Sequence, residues 1–511
     1  MCKCRRGAVV VAISGLLLPF AWLAHAAQGA PAPQALLWYQ GAKLTQPAVA
    51  LLQAMEDAAD WGLDSRDYGA AGILSDSRAA DSPQRREAVD RALSGAALRF
   101  ILHLHEGRVD PHKAGFDVPP RPLAFDAPSL LAKLAETSDT RGTLAAAEPP
   151  FQHYALLKAQ LAVYRRLAGE PGLTRLPAVR GRPLAAADRY TGAPALRALL
   201  VAIGDLPAAQ QAADTDLTLD PPLIQALQRF QFRHGLKQDG VIGRQTYAAL
   251  TTPLAHRVWQ IELTLERWRW LPALNAPTVI VNVPQFRLFA FDAASDRESQ
   301  MLTMNVIVGQ PYRRTPTFAA DMKFLIFRPY WDVPYSIMSG EMLPGIRARR
   351  DYLAAHNFEI VGADGTVTQD PTAQQIAALA AGRLRVRQRP GAENALGLVK
   401  FMFPNRYDVY LHGTPAQALF AQSRRTFSHG CIRVSDPVAL AEYVLRHSGN
   451  DWPRGWIEAA MQGTETLRVP LSQWISVRVV YGTAVASEAG RIYFFDDVYG
   501  NDARLAQLLK R

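Results

Sequence analysis

The stretch VIVNVPQFRLFAF (279–291) decides the fold of the C-terminal half of this chain. It consists of two runs of β-branched and aromatic residues separated by Pro284, a pattern typical of two strands joined by a turn. Further runs of this kind recur at 304–308, 323–327, 408–411, 476–481 and 491–495. We therefore predict a mainly β domain over residues 277–511.

One part of this domain does not follow the strand pattern. Residues 339–388 are polar, rich in alanine and partly helical in their periodicity. So long an excursion inside a β domain is usually functional. We interpret it as an inserted lid or binding arm.

The N-terminal part of the chain is predicted to be helical. Apolar residues recur at helical spacing from Val49 and again from Leu93, which predicts a helical scaffold domain over 35–168. His103, His105 and His112 lack a cysteine or acidic partner at a recurring spacing, so we predict no metal site there.

A linker rich in proline, glycine and arginine (169–195) leads to a compact unit at 194–252. Asp220 followed by two prolines predicts a capped helix start, and Gly235 predicts its end. A turn at 239–243 precedes a further short helix. The fold class is therefore multidomain α+β, with a helical scaffold, a small three-helix module and a mainly β domain carrying the lid.

The charge and its distribution along the chain limit the kinds of partner that we expect. The chain has 511 residues and a formal net charge of +10, spread without a basic run that contains interleaved aromatics. Such a diffuse positive charge suits an anionic envelope polymer, and we predict no nucleic-acid partner.

The first residues predict export. Residues 1–26 begin with MCKCRR, continue with an apolar run and end in Ala24-His25-Ala26, which is the pattern of a secretory signal peptide. An uncleaved membrane anchor is the alternative, because the apolar run approaches spanning length. Either way we expect the protein in the periplasm or cell envelope.

The chain contains three cysteines, of which Cys2 and Cys4 lie in the predicted signal peptide. Cys431 alone remains, within SHGCIRV (428–434). Exported proteins tend to pair or lose cysteines, so the survivor is either a used thiol or a buried, inert one. The neighbouring residues favour a catalytic thiol.

These neighbours supply what thiol chemistry requires. His412 ends a predicted strand and is the best-placed base, with His429 as a second candidate. Gly430 lets the backbone N–H groups of Gly430 and Cys431 face an oxyanion. Arg433 adds a cation suited to a carboxylate.

HGTP followed by SHGCIRV resembles the catalytic motif of the YkuD-type L,D-transpeptidases of bacterial cell walls. The segments VGQPYRRTPTF, FRPYWDVPYSI and RQRPGAENALGLVKFMFPN are similar to the flanking blocks of that family. ALQRFQFRHGLKQDGVIGRQTYAAL resembles the peptidoglycan-binding domain, and ALRFILHLHEGRVDP resembles the scaffold domain of the large envelope subgroup.

The resemblance implies roles for individual residues. Cys431 would be the nucleophile and His412 the proton donor and acceptor. The remaining assignments are a supporting group, Ser428, His429, Gly430 and Arg433, and a substrate-binding group, Tyr330, Trp331, Gly413 and Thr414. For Tyr330 and Trp331 the alternative is a core position, because aromatic residues in a β domain are more often core.

The implied reaction is acyl transfer through a thioester, with release of D-Ala and formation of a 3→3 cross-link. The resemblance implies no cofactor. The implied partners are peptidoglycan stem peptides and glycan, carbapenem-type inhibitors and other wall-synthesis enzymes. Two alternatives remain: a hydrolase with the same residues, and a non-catalytic wall-binding protein.

Overall fold

The computed structural model describes residues 36–118, 125–210, 216–274, 277–292 and 301–510. The predicted signal peptide (1–26) lies outside these residues. No helix within the described ranges is long and apolar enough to cross a membrane.

The N-terminal domain is helical, as predicted. Its elements are β1 (Tyr39–Gln40), β2 (Lys43–Leu44), α1 (Gln46–Glu56), α2 (Ala70–Arg78), α3 (Pro83–Glu106), α4 (Pro111–Ala114), β3 (Phe116–Asp117), α5 (Ala127–Glu136), α6 (Thr140–Leu144) and α7 (Gln152–Ala168). The side chain of Ser82 caps α3 by accepting the N–H of Arg85, and Gly107 ends this helix. Trp38, Met55 and Phe100 are buried in a core of this domain's own.

Helix α7 does not share the core formed by α1, α3 and α5. Its buried residues, among them Tyr154 and Leu161, join the core of the C-terminal domain. Although α7 lies within the segment predicted as scaffold, its apolar face therefore stabilises the β domain.

The three-helix module consists of α8 (Ala193–Ala202), α9 (Pro221–Arg233) and α10 (Arg244–Leu250). As predicted, Asp220 caps α9, and its side chain accepts the N–H of Leu223. Gln231 ties the helix to the following turn, because its amide donates to the Val241 carbonyl and accepts the N–H of Gly240. Arg233 pairs with buried Asp205 and also donates to the carbonyl of Ile492 in the C-terminal domain.

The C-terminal domain is built on a sheet that closes on itself. Its strands are β4 (Thr278–Asn282), β5 (Arg287–Phe291), β6 (Met301–Gly309), β7 (Thr317–Phe327), β12 (Val399–Met402), β13 (Leu411–His412), β14 (Thr426–Ser428), β15 (Ile432–Val434) and β16 (Leu467–Val480). The order is β12-β13-β15-β6-β5-β4-β16-β7, and β12 also pairs with β7, which makes a barrel. The predicted strand at 408–411 is shorter, because Asp408 has a φ of 52° and only Leu411 and His412 pair.

Alternation along the barrel strands separates an inner from an outer face. Val281, Leu288 and Val306 point inward and are buried in the domain core. The helix α11 (Leu254–Arg269) packs against α7 and forms a buried ion pair between Arg267 and Asp502. The remaining elements are α16 (Pro437–His447), α17 (Arg454–Gln462), β17 (Ala484–Ala486), β18 (Ile492–Phe494) and α18 (Asn501–Leu508).

The predicted lid is a small domain that contains more strand than its sequence indicated. Between β7 and β12 lie β8 (Trp331–Asp332), α12 (Tyr335–Ile337), α13 (Leu343–Ala348), α14 (Tyr352–Ala355), β9 (Phe358–Val361), β10 (Val367–Thr368), α15 (Ala373–Ala380) and β11 (Arg385–Gln388). These strands form a four-stranded sheet in the order β10-β9-β11-β8. They have two to four residues, and β11 carries two arginines, so no apolar alternation marked them. The structural lid therefore spans 331–388.

Candidate active site

His412 lies on β13, and the Cys431 loop (428–431) leads from β14 into the neighbouring strand β15. His412 is the last residue of β13, and Cys431 immediately precedes β15, which runs parallel to β13. His412 pairs with Arg433 across these strands, so both side chains lie on the same face. The register thus brings together two of the predicted residues that are 21 positions apart in sequence.

The Cys431 thiol is half-buried, and its Sγ lies 3.7 Å from the carbonyl oxygen of Asp408. Burial raises the pKa of the thiol, while hydrogen bonds from Tyr410 and the charge of Lys400 act in the opposite direction. Because burial dominates, the thiol is protonated at neutral pH. It therefore needs a base at the moment of attack.

His412 is 4% exposed and is neutral at physiological pH. Burial, with a further contribution from the Arg433 cation, lowers the pKa of His412 to about 3. Its Nδ1 lies 2.6 Å from the carbonyl oxygen of Gly413, so Nδ1–H donates there and the lone pair belongs to Nε2. A neutral imidazole held in one tautomer is the form that can accept a proton.

Lys400 and Tyr410 surround the thiol, and our sequence analysis did not assign either of them. Lys400 pairs with His412 across β12 and β13, and its Nζ lies 3.7 Å from the centre of the Tyr410 ring. The charge of the thiolate at Cys431 in turn raises the pKa of Lys400, against a larger lowering by burial. A lysine inside the apolar run LVKFMF (398–403) was the signal that could have identified it.

The Cys431 loop is held in an uncommon backbone conformation. Gly430 has a φ of 122°, a region that glycine adopts far more readily than other residues. Its carbonyl accepts a hydrogen bond of 2.7 Å from Thr315 Oγ1, which also accepts the N–H of Gly309. The Tyr499 hydroxyl extends this network by donating to the carbonyl of Gly309.

The two N–H groups predicted to face an oxyanion differ in their partners. That of Gly430 donates to Ser428 Oγ at 3.2 Å, and this hydroxyl itself donates to the Cys431 carbonyl. In the described part of the chain, the Cys431 N–H has no hydrogen-bond partner. The arrangement leaves the Cys431 N–H available to an oxyanion, and the oxyanion role stays a prediction.

His429 connects the Cys431 loop with the lid. Its Nε2 lies 2.7 Å from Glu341 Oε1, and Arg313 lies at the same distance from this carboxylate. His429 therefore contacts the lid, and its role as a second acid–base candidate stays a prediction. Neither Glu341 nor Arg313 was assigned from the sequence.

The four residues predicted to bind substrate lie in two places. Tyr330 is exposed beneath Arg387, whose guanidinium lies 4.3 Å from the ring centre, and Trp331 packs against Phe358 in the lid. Gly413 donates its N–H to the Val399 carbonyl, and Thr414 forms the turn that follows His412. Their contact with substrate stays a prediction. In the described ranges no cluster of three His, Cys, Asp or Glu residues could hold a metal ion.

The barrel carries a neutral imidazole at the end of β13 and a thiol immediately before the adjacent β15. These features define the class: a multidomain protein with a cysteine and a histidine on neighbouring parts of a mainly β domain. Residues 276–470 match the sequence model of the "L,D-transpeptidase catalytic domain", known as YkuD. This part of the chain is therefore similar to the catalytic domain of the L,D-transpeptidases. Residues 32–161 match the "Scaffold domain" and residues 193–250 the "Putative peptidoglycan binding domain".

The chain is also similar to individual proteins. A Haemophilus influenzae protein named "Putative L,D-transpeptidase" is 28% identical over 284 residues, which cover 54% of this chain and 56% of that protein. The match thus spans about half of either protein. The solved L,D-transpeptidase (residues 123–326) of Xylanimonas cellulosilytica is 14% identical. The match covers 60% of this chain and 99% of that one, and the TM-score of 0.17 is too low to establish a shared fold.

Proposed function

We propose that the protein is a peptidoglycan L,D-transpeptidase that forms 3→3 cross-links through a thioacyl enzyme on Cys431. The observation that carries this proposal is the parallel pairing of His412 in β13 with Arg433 in β15, because Cys431 immediately precedes β15. The match of the surrounding domain to the L,D-transpeptidase family supports it.

In the proposed first step, the neutral His412 takes the proton of the Cys431 thiol as the sulfur attacks the carbonyl of the third stem residue. The oxyanion forms near the Cys431 N–H. His412 returns the proton to the departing nitrogen, so that D-Ala leaves as a neutral amine and a thioester remains.

In the second step, the side-chain amine of another stem attacks the thioester. His412 accepts a proton from this amine, and the thiol is restored when the new amide forms. Lys400 assists both steps, because its cation stabilises the thiolate of Cys431. This thiolate is the nucleophile of the first step and the leaving group of the second.

The lid favours transfer over hydrolysis. It is tied to the Cys431 loop through Glu341 and His429, and closure of this kind excludes water from an acyl intermediate. The hydrolase is the alternative, and the products of one reaction separate the two.

The experiment incubates the protein with disaccharide tetrapeptide and follows the products by mass spectrometry, beside Cys431→Ala. Cross-linked dimer supports the proposal, and tripeptide alone supports the hydrolase. Equal activity of Cys431→Ala would overturn the thiol mechanism. We further propose that the protein works in the periplasm, that carbapenem-type inhibitors acylate Cys431 and that other wall-synthesis enzymes act alongside it.

A further inference from the structure

A cavity of about 860 Å³ lies between the three-helix module and the barrel. Its floor is the outer face of β5 and β6, where Arg287 is paired with Asn305 and Phe289 with Thr303. Phe232 of α9 and Tyr493 of β18 line it from the other side. None of the residues assigned above to the active site lines this cavity.

More cations than anions line the cavity: Lys237, Arg287, Arg424 and Arg425 against the carboxylate of Asp496. Arg287 and Arg425 both line it, and in the described ranges neither forms an ion pair with a carboxylate. Arg287 donates to the Thr303 hydroxyl, and Arg425 donates to neutral oxygens, including the carbonyls of Val306 and Phe286. Two guanidinium groups thus lie near each other, and among the described residues no carboxylate forms an ion pair with either of them.

The electrostatics agree with this geometry. Burial, together with the charge of Arg287, lowers the pKa of Arg425 to about 10, and burial lowers the pKa of Arg287. Both pKa shifts have burial as their main cause, so both guanidinium groups are partly desolvated. A bound carboxylate would relieve this cost and accept paired hydrogen bonds from either guanidinium.

The opposite wall supplies aromatic surface. Phe232 is 50% exposed and meets Tyr493 edge to face, with 5.9 Å between ring centres. The ring of Phe289 is half-buried on the floor. Flat aromatic surfaces beside a few polar groups are typical of sites that orient a ligand with apolar faces, such as the rings of a sugar.

The cavity and the thiol lie on the same outer face of the barrel. Asn305 and Ile307 share that face of β6, Ile307 pairs with Arg433, and Arg433 pairs with His412. The segment 420–425, which lines the cavity, leads directly into β14 and the Cys431 loop. A polymer that occupies the cavity therefore lies on the face that carries the reacting groups.

We propose that this cavity binds a stem-bearing peptidoglycan strand, with sugar rings against Phe232 and Tyr493 and a stem carboxylate on Arg287 and Arg425. The inference rests on the proposed function for the identity of the polymer. It adds a site that is shared between the module and the catalytic barrel, so that the strand is held while one of its stems reaches Cys431.

The test measures binding of soluble, uncross-linked glycan strands that carry tetrapeptide stems, by calorimetry at low and high salt. All proteins carry Cys431→Ala so that no turnover occurs. Arg287→Gln is expected to weaken binding at least about tenfold, because it removes a charge-assisted contact, and to reduce the salt dependence. Phe232→Ala, at an exposed position, is expected to weaken binding severalfold with the salt dependence unchanged.

Arg78→Gln is the matched control, since Arg78 is an exposed arginine on α2 of the scaffold domain. Unchanged binding by Arg287→Gln, or equal weakening by Arg78→Gln, would overturn the inference. Thermal melts of each variant show that the fold is intact. Strands stripped of their stems should bind more weakly and with little salt dependence, and equal binding would refute the role of the stem carboxylate.

The binding test of the cavity can fail or succeed independently of the proposed reaction. Suppose that the Cys431→Ala protein binds strands through Arg287 but the protein with Cys431 intact makes no cross-linked dimer. The proposed reaction then fails and the cavity assignment stands. If the protein with Cys431 intact makes dimer while Arg287→Gln binds strands normally, the cavity assignment fails alone.

Discussion

The hydrogen bonds of Thr315 allow a quantitative prediction about the Cys431 loop. Its Oγ1 donates to the Gly430 carbonyl at 2.7 Å and accepts the N–H of Gly309 at 2.9 Å, and both bonds are buried. Thr315→Val keeps the shape but leaves both backbone groups without a partner. At about 1–2 kcal/mol for each group, we expect the free energy of unfolding to fall by about 2–4 kcal/mol.

The same change should slow catalysis. Without the hydrogen bond from Thr315, Gly430 can leave the conformation with φ of 122°. The N–H group and the thiol of Cys431 then move with it. A displacement of about 1 Å can cost about 100-fold in rate, so we expect acylation of Cys431 to slow by about 10- to 100-fold.

Two measurements check this prediction. Urea unfolding followed by circular dichroism gives the stability, and intact-protein mass spectrometry gives the acylation rate with a tetrapeptide donor. The control is Thr252→Val, which removes a hydroxyl that donates to the Ala248 carbonyl near the end of the preceding helix α10. An acylation rate that stays at the parent value while stability falls would refute the positioning role of Thr315.

Three further predictions concern charge. Because burial raises the pKa of the Cys431 thiol, alkylation by iodoacetamide should increase with pH, with a midpoint above the ordinary value of about 8.5. Lys400→Met should move this midpoint higher still, and a downward shift would refute its role. Arg233→Met leaves Asp205 buried and unpaired, so we expect a loss of about 3–5 kcal/mol in urea unfolding, whereas a loss below about 1 kcal/mol would contradict the buried pair. Glu341→Gln releases the lid from the Cys431 loop at little cost in stability, because the pair is exposed, and proteolysis within 331–388 should accelerate. Unchanged cleavage would show that Glu341 does not hold the lid.

The architecture could be predicted where periodicity was long and the caps were marked. Asp220 with its two prolines identified α9, and the alternation of 279–291 identified β4 and β5. The sheet of the lid could not be predicted, because its strands are two to four residues long and rich in charge. Their pairing depends on contacts distant in sequence rather than on a local pattern.

The active-site residues, too, could be predicted from the sequence only in part. Cys431 and His412 were recognisable from residue type and neighbours, but Lys400, Thr315 and Tyr499 act through the register of strands and a segment near the C-terminus. Apart from the lysine inside the apolar run LVKFMF (398–403), no pattern in the sequence reveals such partners. The joining of α7 to the barrel core, through Tyr154 and other buried residues, is likewise a tertiary effect.

The most direct test of the account is to trap the acyl enzyme. The protein is incubated with a tetrapeptide donor in the absence of an acceptor amine, quenched in acid and analysed by peptide mapping with mass spectrometry. The account predicts a tripeptide adduct on Cys431 that hydroxylamine removes and that His412→Ala forms far more slowly. Formation of cross-linked product by a protein that carries no adduct on Cys431, or an adduct on another residue, would contradict it.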